Sequence, residues 1–294
     1  MSGLTLPRLT HARLPLTREL CAVNEHGELQ RVWIPVERAL TVYVDNRELV
    51  TLMTLGAQPE LLVLGYLRNQ RLIASVHEVE SITVDWEVGA AAVKTRGGIA
   101  NIEARTASKV VTTGCGQGSV FGDLMADVDK LVLPPATLTQ EQLYAIVNAI
   151  RVQDSTYKTS GSVHGCALFR GDEMLSFVED VGRHNAIDTI AGWMWMQEEA
   201  MAPTPGTDVM MSGADKVFYT TGRLTSEMVI KAAQMGVPIV VSRSGITQMG
   251  LEVAQRLDLC AIGRATNKRF LCFSAAQRLQ LQPELAGAKL RVVA

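Results

Sequence analysis

Paired cysteines are missing from this 294-residue chain. Its five cysteines, Cys21, Cys115, Cys166, Cys260 and Cys272, are odd in number, widely spaced and nowhere arranged as Cys-x-x-Cys. A disulfide framework needs a dense, even set in an oxidising compartment, and structural zinc needs ligand pairs at short spacing, so neither is expected. Aromatic residues are only 5% of the chain while apolar residues make up 47%, so the core must be packed from aliphatic side chains. An excess of one charge is missing as well. A net charge of −2 gives no global attraction to nucleic acid or an anionic membrane, and any basic site must be local. No apolar run approaches the roughly 18 residues that a membrane-spanning helix needs. The first residues carry prolines and scattered arginines with no continuous apolar segment, so no signal peptide is expected and the cytoplasm is the expected location.

What is present falls into three stretches. Residues 1–28 are polar and proline-punctuated, and are expected to be loosely held. Residues 29–135 read as a β-rich α+β subdomain. Val32, Ile34 and Val36, then Leu40, Val42 and Val44, then Leu49 to Leu55 alternate as strands do, with a turn at Asp45-Asn46-Arg47. A helix is predicted over Pro59–Asn69, and further strands over 81–88 and 100–111. Pro134-Pro135 marks the boundary. Residues 136–294 then alternate. Helices are predicted over 139–152, 184–198, 225–235 and 247–257, and strands over 163–169, 175–179, 217–221, 237–242, 259–262 and 270–273. That rhythm implies an α/β sheet with helices on both faces, and in such folds ligands bind beyond the carboxyl ends of the strands.

One stretch is poorly suited to core filling: Thr112-Thr113-Gly114-Cys115-Gly116-Gln117-Gly118. Flanking glycines strip side-chain cover and permit sharp turns, so Cys115 is a candidate reactive thiol, with a small apolar loop residue as the alternative. Three strand-to-helix handovers are polar: Glu179 to Asp188 with Arg183, His184 and Asn185; Thr220-Thr221-Gly222-Arg223; and Ser242-Arg243-Ser244-Gly245. Hydroxyls, glycines and an arginine at a helix start can bind a phosphate-sized anion, although Ser and Thr also cap ordinary helices. A basic run, Arg264-Ala265-Thr266-Asn267-Lys268-Arg269, lies between the last two strands and is either a solvated loop or a phosphate clamp. His164 and Cys166 share a strand face, but no second ligand pair accompanies them, so no metal is expected. His184 and Asp188 are one helical turn apart. Both histidines stay open between catalysis and scaffolding. Cys260 and Cys272 lie in apolar runs and are expected in the core.

Read together, the glycine-caged Cys115, Val163-His164, the segment Asp180-Val181-Gly182-Arg183-His184-Asn185-Ala186-Ile187-Asp188, Gly222-Arg223-Leu224-Thr225-Ser226-Glu227-Met228 and Val240 to Ser244 resemble the formate dehydrogenase accessory sulfurtransferase family, FdhD. The resemblance implies a sulfurtransferase required for formate dehydrogenase activity. Sulfur would be taken from a cysteine desulfurase as a persulfide on Cys115, and delivered to a bis-molybdopterin guanine dinucleotide cofactor. It also implies a cytidine deaminase-like three-layer domain, a homodimer, and cofactor binding by Arg264, Ala265, Thr266, Asn267, Lys268 and Arg269. Arg183, Arg223, Ser242 and Arg243 are added as candidate phosphate contacts. Many family members carry a second cysteine three residues after the first. Gly118 stands there, so a dithiol relay on the loop is excluded and single-cysteine transfer remains. A zinc-dependent base deaminase would need His-x-Glu followed by Pro-Cys-x-x-Cys. His26-Gly27-Glu28 has no such sequel, and the deaminase is rejected. The remaining alternative is a molybdenum-cofactor-binding chaperone that transfers no sulfur.

Overall fold

A computed structural model of the chain describes residues 5–100, 102, 128–200 and 213–287. Strands β1 (Arg8–Leu9), β2 (Thr17–Val23), β3 (Leu29–Pro35), β4 (Arg38–Val44) and β5 (Arg47–Thr54) lead into helix α1 (Pro59–Asn69). Next come β6 (Val79–Asp85), β7 (Ala90–Thr95), β8 (Leu138–Thr139), α2 (Gln140–Val152) and α3 (Thr156–Ser160). The hairpin β9 (His164–Arg170) and β10 (Glu173–Asp180) precedes α4 (Arg183–Ala200). The chain closes with β11 (Lys216–Thr220), α5 (Ser226–Gln234), β12 (Ile239–Ser242), α6 (Gln248–Arg256), β13 (Cys260–Thr266), β14 (Arg269–Ser274) and β15 (Leu279–Gln280). The fold is mixed α/β.

Two compact units result, and both are discontinuous. The first holds the described residues of Met1–Ala126, Asp154–Cys166 and Phe177–Val209, and the second those of Asp127–Gln153, Ala167–Ser176 and Met210–Ala294. The boundary expected near Pro135 thus lies close to one crossing, but residues 154–166 and 177–200 belong to the first unit rather than to the α/β half. The reason is α4, which packs along α1.

In the first unit a sheet ordered β1-β6-β7-β4-β5 carries Leu40, Val42, Leu52, Ile82 and Val93 into one core with Leu62, Val63, Leu64 and Leu67 of α1. Pro59 occupies the first turn of α1, where its fixed φ suits a helix and its missing N–H costs nothing; Glu60 and Arg68 suit the helix dipole at the two ends. Two glycines let α1 and α4 touch backbone to backbone. A Cβ on Gly65 would run into the Asp188 carbonyl oxygen, and one on Gly192 into that of Leu61. Around this crossing Asn69 donates to the Asp188 carboxylate at 2.7 Å, and Arg68 donates to the Ala191 carbonyl at 3.0 Å while its guanidinium sits 4.8 Å from the Trp195 ring.

The N-terminal stretch departs from expectation, because residues from Leu6 onward are tied into this unit. β1 pairs in parallel with β6, and Leu6, Leu9 and Ala12 pack on the core. The buried Glu60 carboxylate accepts from the Thr10 hydroxyl and the Ala12 amide, both at 2.7 Å. β2 and β3 form a separate antiparallel ribbon.

The second unit is built on a sheet ordered β10-β9-β11-β12-β13-β14, to which the β9–β10 hairpin contributes residues 167–176. β11, β12 and β13 run parallel, and β14 returns antiparallel at the edge. α2 begins in a capping box: the Thr139 hydroxyl accepts from the Gln142 amide at 3.1 Å while the Gln142 side chain accepts from the Thr139 amide at 3.0 Å. Inside α5, Lys231 is fully buried and its ammonium lies 3.4 Å from the Glu227 carboxylate.

Candidate functional site

Parallel strands present their last residues, and the loops that follow, along one sheet edge. Here three arginines stand on that edge, one per strand. Arg223 follows β11, Arg243 follows β12, and Arg264 is near the end of β13; all three side chains are exposed. The backbone beneath them is laced together. The Arg243 amide donates to the Thr220 carbonyl at 3.0 Å, the Leu224 amide to the Gly245 carbonyl at 2.9 Å, and the Arg264 amide to the Ser244 carbonyl at 2.6 Å. Arg264 adopts a left-handed backbone (φ 52°). A Cβ on the preceding Gly263 would stand only 3.0 Å from the Ser244 carbonyl oxygen and 2.8 Å from the Phe273 ring, so glycine is what lets the two strands approach. The bases of the three arginines are thereby held in fixed register.

Ser242, expected as a ligand contact, is a brace instead. It is buried, its hydroxyl donates to the Gly222 carbonyl at 2.7 Å, and it accepts from the Ser244 amide at 2.9 Å. The two helix starts on this edge differ. Thr247 caps α6 by accepting from the Gly250 amide at 3.1 Å, whereas Thr225 makes no side-chain cap on α5. The first-turn amides of α5 thus have no side-chain acceptor from their own N-cap, the arrangement that suits an anion.

The basic run forms the end of the β13–β14 hairpin, with Thr266 paired to Arg269 and Asn267 in a left-handed turn conformation (φ 52°). Arg264, Thr266, Lys268 and Arg269 line a pocket of about 640 Å³, while Ala265 is buried and Asn267 is exposed at the turn. Sequence reasoning missed the other wall. Tyr144 of α2 donates its hydroxyl to the Lys268 carbonyl at 3.1 Å and accepts from Gln140 at 2.8 Å, and its ring meets Phe270 edge-on at 6.3 Å. Tyr144 reads as an ordinary residue of an amphipathic helix, and nothing in its spacing marks it. The pocket combines cations with aromatic faces, a lining suited to a planar, anionic ligand.

Two predicted residues are not among these. Arg183 belongs to the first unit, at the first turn of α4, and is only 6% exposed, so it is not one of the exposed arginines of the edge. Cys115 and its loop, like the strand expected over 100–111, lie outside the described residues. His184 and Cys166 are buried in the first unit, the Cys166 thiol 4.0 Å from the Arg183 carbonyl, and His164 is half-buried. Among the described residues no group of three or more His, Cys, Asp or Glu is placed to hold a metal ion.

Residues 35–280 match the model of the FdhD/NarQ family. The chain belongs to that family. Among its relatives, "Sulfur carrier protein FdhD" of Bacillus licheniformis is 29% identical over 261 residues, covering 87% of this chain and 94% of the relative. The protein of the same name from Bacillus subtilis is 28% identical over 260 residues, again 87% and 94% of the two chains. The crystal structure of a formate dehydrogenase accessory protein from Desulfotalea psychrophila superposes with a TM-score of 0.68 at 22% identity, covering 90% of this chain and all of the other, and this likeness supports the fold.

Proposed function

We propose that this FdhD/NarQ protein is a cytoplasmic sulfur carrier acting for a formate dehydrogenase, with Cys115 as the carrying thiol and the arginine edge as the seat of its cargo's phosphates. The observation that carries the reading is the row Arg223, Arg243 and Arg264 at the carboxyl ends of three adjacent parallel strands, in a family whose curated relatives are named sulfur carriers. A bis-molybdopterin guanine dinucleotide cofactor is the cargo this edge suits: it is large and bears several phosphates, and guanidinium groups bind phosphate in two-point fashion. The pocket lined by Tyr144 and Phe270 offers aromatic surface beside Lys268 and Arg269 for a planar ring. In the first step the Cys115 thiolate attacks the outer sulfur of a cysteine desulfurase persulfide. The desulfurase cysteine leaves as a thiol and Cys115 holds the persulfide. The same reading takes the α/β unit as cytidine deaminase-like and the working protein as a homodimeric sulfurtransferase.

Intact-protein mass spectrometry after incubation with a cysteine desulfurase and cysteine tests this. The expected result is a reducible gain of one sulfur atom on the wild type and none on Cys115→Ala, with GDP binding equal in the two proteins. No gain on the wild type, with GDP binding intact, would instead support a chaperone that binds the cofactor and transfers nothing.

A further inference from the structure

β13 and β14 bring together two thiols that sulfur carriage on Cys115 does not use. The Sγ atoms of Cys260 and Cys272 are 3.9 Å apart. Cys272 is registered opposite Ile262, two residues beyond Cys260 on β13, so the pleat places both thiols on one face. A bulge between the pairs Ala261–Ser274 and Ile262–Cys272 makes Phe273 the extra residue. Ser274 secures the bulge: its hydroxyl donates to the Leu259 carbonyl at 2.7 Å and accepts from the Ala261 amide at 3.3 Å. A disulfide needs about 2.05 Å between sulfurs, so the two atoms stand in contact one short side-chain movement from bonding.

The two thiols are not equivalent. Cys260 is fully buried, whereas Cys272 is half-buried on the edge strand of the sheet. The Cys272 thiol donates to the Ser274 carbonyl at 3.4 Å, and a hydrogen bond in which either sulfur can donate joins it to Cys260. This bond, then burial, pushes the Cys260 thiol far up, while the same bond pulls Cys272 down to about 7. The charged groups facing Cys260 are Arg278, which favours its thiolate, and Asp258, which opposes it. A half-buried thiol with a fully buried one directly behind it is the arrangement of an attacking cysteine and its resolving partner.

We propose that Cys272 and Cys260 form a second thiol site, which reacts with low-molecular-weight disulfides and closes a bond between β13 and β14. The Cys272 thiolate attacks one sulfur of a disulfide RSSR; that S–S bond breaks, a mixed disulfide forms on Cys272, and RS⁻ leaves. Cys260 then gives up its proton and attacks the Cys272 sulfur, expelling the second RS⁻. The two protein thiols are oxidised by two electrons, RSSR is reduced, and the two protons released end on two RSH molecules. The bond would tie the base of the hairpin whose turn, Thr266 to Arg269, lines the basic pocket. The site is independent of Cys115.

Oxidised glutathione is the probe, applied to the reduced full-length chain at pH 6 and pH 8 and followed by alkylation, trypsin and mass spectrometry. Cys260 lies in the fragment Leu257–Arg264 and Cys272 in Phe270–Arg278. The expected product is these two fragments joined, formed faster at pH 8, where more of the attacking thiol is thiolate. Cys260→Ser should stop at a glutathione adduct on Cys272, Cys272→Ser should leave Cys260 unreacted, and Cys115→Ala should still form the link. No reaction at either fragment of the wild type, or a lasting adduct on Cys272 with no link, would overturn the proposal. The wild-type measurement decides this even where a serine variant folds poorly.

Discussion

The carboxylate of Asp180, at the end of β10, accepts the hydroxyl proton of Thr54, at the end of β5, across 126 residues of sequence. Three more donors converge on it: the Leu55 amide at 3.1 Å, the Gly182 amide at 3.0 Å and the Asn185 side chain at 2.7 Å. Asn185 also donates to the Met53 carbonyl at 2.7 Å. Burial pushes the Asp180 pKa up against the pull of these bonds. The polar segment around Arg183 and His184 is thus organised from inside by a carboxylate that is 3% exposed.

Asp180→Ala would take the acceptor from the buried Thr54 hydroxyl and Leu55 amide. Each unsatisfied buried donor costs about 1–3 kcal/mol, so a loss of ~3 kcal/mol is expected in urea denaturation. Asp180→Asn should also destabilise, because its amide turns a donor toward donors. Unchanged midpoints in both variants would show that the carboxylate does not hold the junction.

The glycine crossing of α1 and α4 gives a sharper contrast. Gly65→Ala and Gly192→Ala each drive a methyl group into backbone and should cost several kcal/mol, beyond the ~1–3 kcal/mol usual for overpacking. Gly97→Ala meets nothing within 4 Å and should leave the melting temperature unchanged.

On the arginine edge, Arg223→Ala, Arg243→Ala and Arg264→Ala should each weaken GDP binding roughly tenfold, the scale of one charge-assisted hydrogen bond of about 1.5–3 kcal/mol. Thermal stability should not move, since all three side chains are exposed. Arg183→Ala should do the reverse, lowering stability and leaving GDP affinity alone. Titration calorimetry with parallel melts separates the two patterns.

The buried pair in α5 tests a different balance. Lys231→Met or Glu227→Gln alone breaks the ion pair of a fully buried ammonium, at a cost of ~3 kcal/mol. The double variant should recover most of that loss in a denaturant cycle.

Local rules reach much of this architecture. α1 is readable from Pro59 and its leucines, and α2 from the Thr139 and Gln142 box, because caps and apolar spacing act within one turn. The arginine edge is readable because residues after parallel strands share a side of the sheet whatever the rest of the chain does. β7 is not: its run of alanines has weak strand preference, and only pairing to β4 and β6 makes it a strand. The first residues mislead for the same reason, since β1 is two residues long and exists through β6 and Glu60. Arg183 follows a strand as Arg223 does, but burial, which a local pattern does not register, removes it from the exposed set. Ser242 has the sequence signature of a ligand contact, yet Gly222 and Ser244 take up its hydroxyl. Cys260 lies in the core as its apolar run implies; its meeting with the half-buried Cys272 depends on the register of β13 against β14, which no spacing announces.

The pairing of α1 with α4 also sets an order of events during synthesis. Arg68 and its acceptor Ala191 are 123 residues apart, so at roughly 5–20 residues per second the ribosome makes α1 on the order of ten seconds before its covering helix. In that interval the surface around Gly65 has no native partner from α4. A nascent chain halted before Arg183 would therefore present to the cell an unfinished apolar surface, and the α1 stretch is where a holding chaperone would find it.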